Sequence, residues 1–219
     1  MLILFFLNGF FVYKNVVKTM PIDQKLKELS SKNDYVEIQN VSDSLKNYFV
    51  NVEDKRFYKH NGIDLMGIAA SFISNLKEGY YKYGGSTITQ QLAKNLYFKD
   101  GRKTLTRKVA EMFVAFEFER EYSKDKILEM YLNIIYFGNG YYGINEASHG
   151  YFGISPKDLN EYQSSLLVGI PQAPSVYNLN EKGNSSMKNR YMQVLKILTN
   201  NGVITKNQAD QFKKIYLAS

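Results

Sequence analysis

Apolar side chains recur three and four residues apart in block after block of this 219-residue chain, and no other feature limits its fold so strongly. Leu45, Phe49 and Val52 share one side of a helix that Ser42 would cap. Ile63, Met66, Ala70, Ile73 and Leu76 do the same from Gly62 to Glu78, with Gly79 as the stop. Val109, Met112, Phe113 and Phe116 form the expected core face of a longer helix, Leu105 to Tyr122, and Ser123 caps the next, Lys124 to Tyr136. Another helix begins within STITQQLAKNLYF, and KDGRK reads as a turn. Ser155-Pro156 suits a helix start that Pro171 and Pro174 bring to an end. The chain closes with helices over Ser186–Thr199 and Thr205–Leu217, the second opened by a Thr205/Gln208 capping box. Strand signals are few, Tyr35–Ile38 being a short extended piece. The fold class is mainly α.

The first thirteen residues, MLILFFLNGFFVY, are almost wholly apolar. A membrane crossing takes about 20 such residues, and neither a basic leader nor a small-residue cleavage site flanks the run. Residues 1–18 are therefore expected to be a membrane anchor, incomplete at its start, ahead of one domain over 19–219. The alternative is an N-terminal helix buried on that domain. Lys14 and Lys18 run weakly against the positive-inside tendency.

The hydrophobic content of 44% fits a folded chain, and its 18 tyrosines favour amphipathic surfaces. The absence of cysteine excludes disulfides, cysteine-ligated zinc and thiol catalysis. A net charge of +7 favours anionic partners. No basic tract or RNA-binding aromatic strand is visible, which argues against nucleic acid.

Three blocks carry the chemistry. EDKRFYKHNG puts Glu53 at a helix end before aromatic and basic residues. GGSTITQQ, Gly84 to Gln91, combines glycines that allow close backbone approach with a dense set of donors and acceptors. It suits a loop gripping a polar ligand, and equally a plain turn followed by a Ser or Thr cap. KTLTRKVAE puts Arg107 and Glu111 four residues apart on one helix face, beside Lys108. Two carboxylates with several cations suit acid-base chemistry on a phosphorylated sugar: one carboxylate takes a proton from an attacking hydroxyl and the cations stabilise a departing phosphate. Any one of these acids, taken singly, would read as a solvated surface group.

The order of the blocks resembles the peptidoglycan glycosyltransferases, glycosyltransferase family 51, which occur as monofunctional enzymes and as the N-terminal half of class A penicillin-binding proteins. ED-x-x-F-x-x-H-x-G stands as Glu53, Asp54, Phe57, His60 and Gly62; GGST-x-TQQ is complete; RK-x-x-E is Arg107, Lys108 and Glu111. KDKILEMYLN, Lys124 to Asn133, matches a fourth motif, and Arg190, Tyr191 and Val194-Leu195 a fifth, in which tyrosine replaces the second arginine.

The resemblance implies a lysozyme-like helical fold of two lobes, and polymerisation of lipid II into β-1,4-linked glycan with release of undecaprenyl diphosphate. Glu53 matches the base that deprotonates the acceptor hydroxyl in an inverting displacement. Glu111 matches a second acid that orients groups near the leaving phosphate or helps hold a divalent ion. Ser86, Thr87, Gln91, Lys94, Asn95, Arg102, Arg107 and Lys108 match the substrate cleft, Lys94 and Arg102 being the best candidates for pyrophosphate contacts. Asp54, Phe57 and His60 fall in the block around Glu53, and Phe57 and His60 shape the cleft. Ser86 additionally suits a helix cap. The span from Ile68 to Tyr83, with Phe72, Ile73, Tyr80, Tyr81 and Tyr83, matches the membrane-contacting part. No cofactor is required, and a divalent cation such as Mg2+ or Mn2+ is an option at the diphosphate. The implied partners are lipid II, the growing glycan, the bacterial cytoplasmic membrane and other cell-wall synthesis or division proteins. The implied location is the outer side of that membrane, on a single-pass anchor. With no transpeptidase motif present, a monofunctional enzyme is expected. A lytic transglycosylase or hydrolase of the same broad fold, and a non-catalytic cell-wall scaffold, are the alternatives.

Overall fold

The computed structural model describes residues 2–70, 85–99, 104–181 and 184–218, with side chains from Leu4 onward. In chain order the helices are α1 (Leu2–Thr19), α2 (Ile22–Ser30), α3 (Asp43–Glu53), α4 (Ile88–Tyr97), α5 (Leu105–Glu121), α6 (Lys124–Ile134), α7 (Gly143–Phe152), α8 (Glu161–Leu167), α9 (Ser185–Asn200) and α10 (Lys206–Ala218). Residues 65–70 are also helical, and short 3-10 turns occupy Ile38–Asn40 and Phe57–Lys59. Among the described residues there is no strand, only an isolated antiparallel bridge between Tyr136 and Tyr142. The chain divides into two compact units, Met1–Tyr35 with Arg56–Ile134, and Val36–Lys55 with Ile135–Ser219.

In the first unit α5 packs against α1 and α4, and α4 also packs against α6. The α1 contact is close because Gly9 carries no side chain: a Cβ there would lie 2.5 Å from Val109 Cγ1. Beside it Phe10 and Tyr13 meet the Phe113 ring at 5.3 and 5.6 Å. No helix among the described residues is long and apolar enough to cross a membrane. The anchor expected over residues 1–18 thus has no spanning helix here; the segment packs against α5 along one side and leaves Leu4, Phe6, Leu7 and Phe11 exposed.

The same packing corrects the expected core face of α5. Val109 is buried as expected, but so are Ala110, Glu111, Val114, Ala115 and Phe118, while Phe116 is exposed and Met112 and Phe113 are half-buried. The spacing of large apolar residues marks one stripe; a helix covered from more than one side also buries small residues that no such stripe includes. The expected apolar side from Gly62 differs too, since Met66 and Ala70 are exposed and the remainder of that helix lies outside the described residues.

In the second unit α3 packs on α8 and α9, burying Leu45, Tyr48, Phe49 and Val50. Ser42 caps it as expected, accepting a hydrogen bond from Leu45 N at 3.2 Å. Complete burial of Leu45 and Phe49 is worth roughly 1.5–3 kcal/mol each. Pro156 sits in a turn and does not open a helix. α8 starts instead behind Asn160, whose capping box with Gln163 satisfies two backbone donors. The Thr205/Gln208 box is present, the two bonds measuring 2.9 and 3.2 Å.

Candidate active site

The GGST block is held from below by its own threonine. Thr87 caps α4 in a full capping box with Gln90, and its hydroxyl donates to the Gly62 carbonyl at 2.6 Å. This corrects the expectation that Ser86 is the cap. Gly62 has φ +89, which strains any side chain, and a Cβ there would also crowd the Ala115 carbonyl carbon and oxygen at 3.2 and 3.3 Å, so glycine is favoured on both counts. The last position of the first motif is thereby fixed between α5 and the second motif. Thr87→Val should lose the cap and the Gly62 bond together, destabilising the protein by about 1–2 kcal/mol in a denaturant titration. Ser86→Ala, which leaves the cap intact, should cost clearly less.

Freed from capping, the Ser86 hydroxyl accepts from Lys108 Nζ at 2.7 Å. That ammonium also lies 3.2 Å from Glu111 Oε2, and Arg107 Nε lies 3.0 Å from Glu111 Oε1. Glu111 is only 1% exposed, so a buried carboxylate sits between two cations in the first turns of α5. Cations are disfavoured near a helix N-terminus, where the backbone already presents positive charge. The carboxylate offsets this and keeps both side chains in place. Gln91 accepts from the Tyr131 hydroxyl at 3.2 Å, joining the end of GGSTITQQ to the fourth motif. Lys94 is exposed and Asn95 half-buried toward the end of α4. Arg102, like Gly84 and residues 71–83 of the expected membrane-contacting span, lies outside the described residues.

Phe57 is fully buried, with Lys124 Nζ 4.5 Å from its ring centroid and the half-buried His60 ring edge-on at 6.3 Å. Lys124 is paired at 2.8 Å with Glu119, which accepts from the Thr89 hydroxyl. One polar network thus ties the second motif to the residue that packs on the first. Phe57 and His60 thus meet within the first unit.

Glu53 and Asp54 belong to the second unit. Glu53 ends α3 and Asp54 is the buried C-cap, its amide donating to Val50 O at 2.9 Å. Arg190 Nη2 of α9 lies 3.5 Å from Glu53 Oε1, and Arg190 Nε donates to Gly169 O at 3.1 Å. In the sequence Arg190 stands out only as a member of the fifth motif. An arginine placed among Met187, Tyr191, Val194 and Leu195 at helical spacing is the signal that could have found it, because a cation on an apolar helix face needs an acid.

A family model described as Transglycosylase matches residues 21–199. Penicillin-binding protein 1A/1B of Bacillus subtilis is 40% identical over 88% of this chain, which spans only 21% of that protein. Penicillin-binding protein 2a of Streptococcus pneumoniae is 38% identical over 92% of this chain, covering 27% of that protein. A monofunctional glycosyltransferase of Staphylococcus epidermidis is 37% identical over 84% of this chain and 70% of its own length. The chain therefore belongs to the transglycosylase family, the peptidoglycan glycosyltransferases that its motif blocks resemble.

Proposed function

We propose that the chain polymerises lipid II into β-1,4-linked glycan strands and releases undecaprenyl diphosphate. The observation that carries this reading is the convergence, within one unit, of Gly62, Ser86-Thr87 and Arg107-Lys108-Glu111, three blocks far apart in sequence. Their common product is a fixed hydroxyl and two cations held by a buried acid, which suits an anionic diphosphate. Glu53 is the general base. It takes the proton of the acceptor sugar's 4-hydroxyl, the oxygen attacks the donor's anomeric carbon, and the bond to the diphosphate breaks with inversion, as in inverting glycoside hydrolysis with a hydroxyl in place of water. Lys94 and Arg102 complete the cationic lining, and Gln91 and Asn95 supply polar contacts. A lysozyme-like arrangement in two lobes belongs to the same reading.

Among the described residues no group of three or more His, Asp or Glu could hold a metal ion. No step of the proposal runs through one. The exposed Leu4, Phe6, Leu7 and Phe11 of α1, with Leu65 and Met66, support catalysis at the outer surface of the bacterial cytoplasmic membrane.

The test is polymerisation of purified lipid II by the purified chain. Glycan strands are the expected product. Soluble muropeptides released from purified cell wall, with no polymer from lipid II, would place the chain among the hydrolases. Lys94→Ala and Arg102→Ala should each slow the reaction on the order of a hundredfold, since charge on the diphosphate builds up in the transition state. Arg102→Lys should recover only part, having lost the planar two-pronged donor. Wild-type rates in both alanine variants would move the diphosphate elsewhere.

A further inference from the structure

Glu53 closes α3 at the end where unpaired carbonyls make the potential negative, a poor place for a half-buried carboxylate. The group that meets it there is Arg190, with side-chain exposures of 6% for the arginine and 11% for the glutamate. The guanidinium meets both a backbone carbonyl and the carboxylate. Nε donates to the Gly169 carbonyl at 3.1 Å, and Nη2 lies 3.5 Å from Glu53 Oε1. Because the guanidinium is planar and rigid, fixing Nε also fixes the direction of Nη2.

The helix that carries Arg190 is itself locked. Met187, Tyr191, Val194, Leu195 and Leu198 of α9 are buried, and the Tyr191 hydroxyl lies 3.0 Å from Ser165 Oγ. The Tyr191 ring packs on Tyr216 at 4.7 Å. Tyr191 occupies the position where the fifth motif has its second arginine. In this chain that position serves packing, and Arg190 is the motif's guanidinium.

We infer that Arg190 is a positioning residue for Glu53: it carries the rigidity of α9 and of the Gly169 backbone to the carboxylate, and holds that carboxylate in one orientation for proton transfer. This rests on the reading of Glu53 as the base. A base must stay within hydrogen-bond reach of the proton it takes, and a displacement near 1 Å can cost about a hundredfold in rate. The arginine acts through Glu53 and has no part in holding lipid II.

The experiment measures initial polymerisation rate against lipid II concentration for Arg190→Met, Arg190→Lys, Tyr191→Phe and Glu53→Gln, with thermal unfolding of each. Arg190→Met should lose about a hundredfold in kcat with KM little changed. Arg190→Lys should fall between it and wild type, because one ammonium lacks the fork that reaches both the carbonyl and the carboxylate. Tyr191→Phe removes only the neighbouring hydroxyl and should keep kcat close to wild type. An equal kcat loss in Tyr191→Phe would mean that helix packing, not the ion pair, is responsible, and so would overturn the inference. Wild-type kcat in the arginine variants would overturn it as well. If Arg190→Met does not fold, Arg190→Lys decides alone: reduced kcat at constant KM supports the inference, and wild-type kcat ends it. Glu53→Gln separates the two readings. An inactive Glu53→Gln beside a fully active Arg190→Lys leaves the base intact and removes Arg190 from the mechanism. An active Glu53→Gln removes the base, and this role for Arg190 with it.

Discussion

Glu53→Gln should fold and should polymerise lipid II at no more than about a hundredth to a ten-thousandth of the wild-type rate, the range a lost general base commonly costs. The amide has the size of the carboxylate and no capacity to take the acceptor's proton. Stability should also change, because Arg190 is buried 3.5 Å from this side chain and loses a counter-charge. A cost of about 1–3 kcal/mol is expected for leaving one side of a buried charged contact weakened, with Gly169 still accepting from Arg190 Nε. The two effects separate cleanly when rate is measured well below the unfolding temperature. A folded Glu53→Gln that polymerises near the wild-type rate would falsify the assignment of the base.

The second large effect belongs to Glu111. Its carboxylate is buried, with Arg107 Nε at 3.0 Å and Lys108 Nζ at 3.2 Å. Glu111→Gln removes the charge that balances two cations in the first turns of α5, so each is left with the unfavourable end of the helix. Breaking a buried pair in this one-sided way typically costs about 3–5 kcal/mol; Lys108 is 43% exposed and can turn to water, so the lower part of that range is expected. Activity should fall on the order of a hundredfold, as for loss of a preorganised electrostatic contact, because Lys108 would no longer be held against Ser86. Unfolding by denaturant and initial polymerisation rate are the measurements. Reduced stability with an unchanged rate would make Glu111 a structural residue only.

Both predictions concern residues legible in the sequence, whereas their surroundings were not. Caps are local: Ser42, Ser123 and the Thr205/Gln208 pair act within three residues of themselves, and all three stand where the sequence puts them. Ser86 and Thr87 show where local reasoning ends. Both can cap, and the choice falls to Thr87 because Gly62 offers its hydroxyl an acceptor while Lys108 draws Ser86 away.

The sequence by itself determined that the chain is helical, where most helices begin and end, and which acids and cations form the motif blocks, because periodicity, caps and spacing act over one or two turns. Tertiary structure alone decided three further matters. α5 is covered by both α1 and α4, so Ala110 and Ala115 are core while Phe116 is not. The apolar N-terminal run lies on α5 through the gap left by Gly9. Arg190 reaches Glu53 from a distant helix. Each depends on which helix faces arrive at the same place after folding, and side-chain contacts between residues so far apart leave no period in the chain to be read.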